Sequence, residues 1–168
     1  MPEFDVVALE PTDHVEPGDE APDFTRPLVT DEYWEDRALA DLVDGRTILV
    51  FTPMIGSFVA KYAWDELAER GWDDREERVV GVTASTPYAV STFLDDNDFP
   101  FEIFADPANG VAETYGLDHE LDGMTGISEP RPAFVAVGAD RAVDAVWVAS
   151  EWPEFPDYDE LEKRFGLA

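Results

Sequence analysis

Five consecutive residues, Thr47-Ile-Leu-Val-Phe51, are apolar or β-branched and present no polar face. A strand of that composition is buried on both sides, the condition of a parallel strand covered by helices. Pro53 and Gly56 break the run. From about Ser57 to Arg70 the apolar positions Val59, Tyr62, Ala63 and Leu67 keep the helical period. Gly71 stands where a helix-terminating glycine belongs.

The same alternation continues along the chain. Arg78–Thr83 reads as a strand, Pro87 opens a helix to about Asp95, and Phe101–Phe104 is a short strand. Ala108–Tyr115 is a short helix ended by Gly116, and Asp118–Pro130 a polar loop. Ala133–Val137 and Ala142–Val148 form a hairpin through Gly138–Arg141, and Asp157 caps a last helix ending near Phe165. Upstream, Phe24–Leu28 reads as a strand and Tyr33–Leu42 as a short helix capped by Asp31 and closed by Gly45. Alternating units followed by an antiparallel pair predict an α/β fold, a mixed sheet with helices on both faces. At 168 residues this is one domain. Residues 18–168 form it, and 1–17 read as an acidic, loosely tied lead-in.

Charge narrows the function. Thirty-nine acids against eleven bases leave −28, and only Lys61 and Lys163 are lysines. With 45% hydrophobic residues the chain still has material for a core, so disorder is not expected. Such self-repulsion destabilises a compact state unless salt screens it. The composition therefore suits a cytoplasm rich in potassium chloride, of the haloarchaeal kind. No cluster of lysine and arginine exists to neutralise phosphates, which argues against nucleic acid and anionic membranes. No run of about 18 apolar residues is present, and the acidic N-terminus lacks the pattern of a signal peptide; a cytoplasmic location is the expectation. The chain has no cysteine, which removes disulfides, thiolate chemistry and cysteine-ligated metals.

The junction Phe51-Thr-Pro-Met-Ile-Gly-Ser-Phe-Val-Ala60 resembles the active-site segment of the peroxiredoxins, in the alkyl hydroperoxide reductase and thiol-specific antioxidant branch. Pro53 and Ser57 match that pattern, and the position of the peroxidatic cysteine is Ala60. Gly18-Asp-Glu-Ala-Pro-Asp-Phe24, Gly81-Val-Thr-Ala-Ser85, Phe104-Ala-Asp-Pro107 and Arg131-Pro-Ala-Phe-Val135 resemble further segments of the family, in the family's order. Arg131 falls where the family has its active-site arginine. The resemblance covers about residues 18 to 165 and implies a thioredoxin-like, peroxiredoxin-type fold, a central mixed β-sheet flanked by helices.

In such a site a thiolate in a first helical turn is stabilised by the helix N-terminus and an arginine, and attacks peroxide to become a sulfenic acid. Ala60 offers no nucleophile, and Ser57 cannot replace it. Ala63 also stands where the family often has a glutamate. The resemblance thus implies a cysteine-less, redoxin-domain protein without peroxidase activity that acts by binding or by pairing with a partner. The alternative is an antioxidant thiol peroxidase whose cysteine is lost or mutated in this sequence. Pro53, Ser57, Ala60 and Arg131 would line a vestigial pocket, with a small anion as its occupant and a homodimer as a further possibility. No cofactor and no metal are expected. Each residue also has a plainer role. Pro53 suits a strand end, Ser57 an N-cap, and Arg131 a surface partner for one of many acids. His14 and His119 read as solvated loop residues, and Asp95-Asp96-Asn97-Asp98 as a solvated run lacking the glycine and spacing of a calcium loop. Tyr62, Trp64 and Trp72 read as core or dimer surface.

Overall fold

The computed structural model describes residues 5–120 and 125–167. The chain begins with β1 (Val7–Ala8), β2 (Thr25–Val29) and β3 (Trp34–Ala38), then α1 (Leu39–Leu42). β4 (Thr47–Phe51), α2 (Phe58–Glu69), β5 (Arg78–Thr83), α3 (Pro87–Asn97) and β6 (Glu102–Ala105) follow. α4 (Gly110–Tyr115), β7 (Asp118–His119), β8 (Glu129–Pro130), β9 (Ala133–Val137), β10 (Val143–Val148), β11 (Glu151–Trp152) and α5 (Tyr158–Arg164) complete it. Part of the loop expected at 118–130 lies outside the described residues.

Seven strands form the main sheet in the order β10-β9-β4-β5-β6-β2-β3. β4, β5 and β6 run parallel, and β9, β10, β2 and β3 are added antiparallel. Register carries the alternation of side chains to the two faces. On β4, Ile48 and Val50 enter one core with Trp64, Leu67, Val90, Phe93 and Phe165. Leu49 and Phe51 enter the opposite core with Leu39, Leu42, Val111 and Tyr115. The two-faced burial read from Thr47–Phe51 is thus the observed one.

The segment Tyr33–Leu42 corrects the expectation of a helix. Trp34–Ala38 pairs antiparallel with β2, from Val29↔Trp34 to Thr25↔Ala38, and only Leu39–Leu42 is helical. Thr30 builds the turn: its hydroxyl accepts the N–H groups of Glu32 and Tyr33, and its own N–H donates to Tyr33 O. Pairing with the edge of β2 satisfies a whole ladder of backbone groups, which outweighs a weak local helix preference. The lead-in is also held more firmly than its composition implies. β1 pairs with β11, Leu9 N–H donates to Ser150 O, and Val15 N–H donates to Tyr115 O.

Candidate functional site

The turn between β4 and α2 is fastened from outside itself. Pro53 O accepts the Thr83 hydroxyl at 3.0 Å, and Ile55 N–H donates to Ser85 Oγ at 2.8 Å. Met54 N–H donates to Glu129 Oε2 at 3.0 Å. Pro53 ends the strand, and its carbonyl is one of the anchors. Ser57 is the N-cap of α2, with Oγ accepting the Val59 N–H at 3.2 Å. Ala60 is the third residue of that helix. It is 0% exposed and faces inward with Val59, Ala63, Trp64 and Leu67.

Arg131 lies two residues before Ala133, the first residue of β9, which pairs with Phe51 at the end of β4. Its position is therefore the head of the strand beside the junction. The side chain is 4% exposed, so the surface role considered for it is excluded. Nη1 donates to Glu10 O and Nη2 to Asp118 O, both at 3.0 Å, while Nε is buried without a hydrogen-bond partner. Burial lowers the pKa of the guanidinium, and Asp118 opposes that shift. Arg131 lines a cavity of roughly 550 Å³ with Leu9, Glu10, Thr12 and His119. Ser57 lines a different space, a groove of roughly 830 Å³ between α2 and α3. The fold thus puts Pro53, Ser57 and Ala60 on one junction and directs Arg131 into a neighbouring cavity.

Two residues took places the sequence did not signal. His119 is 8% exposed rather than a solvated loop residue, and its pKa is lowered to about 4, first by burial and then by Arg131. Glu129 is fully buried, with Oε1 3.7 Å from His119 Nε2. A glutamate in a glycine-containing polar stretch gave no hint of this. Trp64 and Trp72 are core, whereas Tyr62 is largely exposed. Among the described residues no group of three or more His, Cys, Asp or Glu side chains could hold a metal ion, and no helix is long and apolar enough to cross a membrane.

A mixed sheet whose central strand passes through a proline turn into a capped helix, with an arginine heading the adjoining antiparallel strand, defines the redoxin class of thioredoxin-like folds. The chain belongs to the AhpC/TSA family, which residues 17–146 match. Its fold is that of peroxidoxin BcpB from Mycobacterium tuberculosis, at 23% identity, TM-score 0.71 and coverage of 92% of this chain and 96% of that one. The reduced 2-Cys peroxiredoxin of Plasmodium vivax is similar at 18% identity and TM-score 0.71, covering 87% and 91%. AhpC of Mycobacterium tuberculosis is similar at 16% identity and TM-score 0.71, covering 91% and 92%. No curated protein sequence matches the chain. The peroxiredoxin-type fold implied by the motifs is the fold the chain has. With no cysteine anywhere, the family's thiol chemistry has no atom to start from.

Proposed function

We propose that this chain is a binding member of its family, one that holds a small anion near Arg131 and does not turn over peroxide. The observation that carries the reading is Ala60, a fully buried methyl group in the first turn of α2 where the family's thiolate would stand. A thiol peroxidase needs a nucleophilic sulfur that becomes oxidised and is then reduced, and neither serine nor alanine supplies one. The retained positive charge supports the binding half. Arg131 is buried, bonds only to carbonyl oxygens, and among the described residues makes no ion pair. A guanidinium in that state is a strong donor for a carboxylate, sulfate or halide. Glu129, bonded to Met54 N–H, places a carboxyl group at the junction where none was expected.

The reading is tested by two measurements. The unaltered protein, given peroxide and a thiol reductant, should match the protein-free control; turnover above it sinks the inactive reading. Crystals soaked in bromide should show anomalous density beside Arg131, and its absence at high bromide would reject the anion. The antioxidant alternative is separated by Ala60→Cys. Because Ala60 is closed to solvent, the new thiol should react with peroxide slowly and only with an external thiol to complete the cycle. Fast turnover in that variant would favour a peroxidase that lost its cysteine and nothing else.

A further inference from the structure

The groove between α2 and α3 is separate from the Arg131 cavity. Its walls are Ile55, Phe58, Ala89 and Phe93, and Tyr88 stands at its rim with 74% of its surface exposed. The apolar surface continues past the groove at both ends. Tyr88 packs edge-on against the exposed Trp34 at 5.3 Å, and Phe58 contacts Tyr62, which contacts the exposed Phe155. An exposed apolar patch of this reach marks an interaction site more often than a bare surface.

The electrostatics of the groove are lopsided. Lys61 is neutralised by Asp65, with both carboxylate oxygens 2.6 Å from Nζ. Asp96 lines the groove at the end of α3, and Asp95 and Asp98 flank it, all exposed. Among the described residues these three form no ion pair, and they sit at the negative pole of the helix, where carboxylates are unfavourable. A cation arriving there relieves three like charges and a helix dipole together.

We propose that this groove takes a basic amphipathic segment of another protein, with apolar anchors over Phe93 and Ile55 and lysine or arginine at the Asp96 end. α3 has 11 residues, about 16 Å of helix, which suits two or three anchors at i, i+3 or i+4, and i+7. Charge complementarity selects this occupant. A second copy would set the same three aspartates against these, on a chain that also carries a net −28. The inference rests on reading the chain as a binding protein; peroxide turnover by the unaltered chain would sink that reading without altering the peptide result below.

The probe is a fluorescent synthetic helix-forming peptide with leucines at i, i+3 and i+7 and lysines flanking them. Two controls replace the leucines by serine or the lysines by glutamate. Binding to the full-length protein is followed by fluorescence anisotropy at ~0.1 M and ~1 M KCl, where screening lengths differ about threefold. At the higher salt the leucine peptide should bind the unaltered protein at least about tenfold more tightly than the exposed-site variant Thr92→Arg, which fills the groove and adds a positive charge. Tyr88→Ser, at a more exposed site, should also weaken binding and stands in if Thr92→Arg melts early. At the lower salt the glutamate peptide should bind more weakly than the lysine peptide. NMR shift changes should fall within 55–61 and 86–97. Equal binding of the serine peptide, or no loss in either variant, would reduce the effect to bulk charge and overturn the proposal. Self-association abolished by Thr92→Arg would assign the groove to a second copy and overturn it as well.

Discussion

His119 shows how one position can tie the fold to pH. Its neutral form is buried on β7, paired with Glu129 of β8, and its pKa falls from 6.5 to about 4. Unfolding therefore takes up a proton between those two values. Stability from this residue is complete above about 6.5 and is lost as the pH falls towards 4, at a slope of up to about 1.4 kcal/mol per pH unit. Urea midpoints measured from pH 7 to pH 4 should decline less steeply in His119→Asn than in the unaltered chain. Parallel curves would mean that the histidine stays neutral or solvated in both states. Glu129 works at the same scale. Removing its carboxylate with Glu129→Ala leaves Met54 N–H, half-buried at the junction, without its acceptor, at a cost of about 1–3 kcal/mol. Glu129→Gln keeps an acceptor and should cost less, which chemical denaturation of the two variants can check.

At the scale of elements, β5 and α2 meet through a glycine. A Cβ on Gly81 would lie 2.5 Å from Trp64 Cζ2 and 2.9 Å from Ile103 Cγ1. Trp64 is among the largest fully buried side chains, so α2 approaches the sheet only because Gly81 has no side chain. Gly81→Ala should destabilise by about 1–3 kcal/mol through overpacking. Gly81→Ala combined with Trp64→Phe should recover part of that loss, as contacting residues couple. A double variant less stable than either single one would refute this account. The caps act at the same scale. Ser57, Thr86 and Asp157 each accept a backbone N–H in the first turn of α2, α3 and α5. Ser57→Ala should therefore cost about 1 kcal/mol in stability, independently of any binding role.

For the whole molecule the dominant quantity is charge. The arginines are organised to hold the C-terminal helix: Arg70 and Arg75 both reach Glu162, and Arg46 bonds Asp144 and Phe165 O. Ionic contacts of that kind are partly exposed and screened by salt, so they lose strength as salt rises. Repulsion among the remaining acids loses more. The screening length falls from about 10 Å at 0.1 M to about 3 Å at 1 M. Twenty-eight uncompensated charges weigh heavily against a usual stability of about 5–15 kcal/mol. We propose on this ground that the protein is salt-dependent and that its melting temperature climbs steeply between 0.1 M and 2 M KCl. A flat melting temperature over that range would remove the halophilic reading. Acidification should give part of the same gain only as the pH nears the ordinary carboxylate range of about 4, after the loss at His119 has set in.

The periodicities of the chain alone determined most of the architecture. A run such as Thr47–Phe51 has one solution, burial on both faces, and β4, β5, β9 and the N-cap of α5 fall where the residues place them. The missing nucleophile is equally a property of the sequence, because no fold can supply a sulfur atom that the chain lacks. Tertiary structure decided what depends on partners distant in sequence. Trp34–Ala38 became a strand because β2 offered an unpaired edge. His119 and Glu129 were buried because β7 and β8 pair, bringing Glu129 to Met54, 75 residues away in the chain. Arg131 lay at the predicted head of its strand, yet its guanidinium turned towards Glu10 O and Asp118 O. Local propensity acts over a few residues, whereas the direction of a buried charge is set by whichever acceptors the folded chain happens to bring within 3 Å.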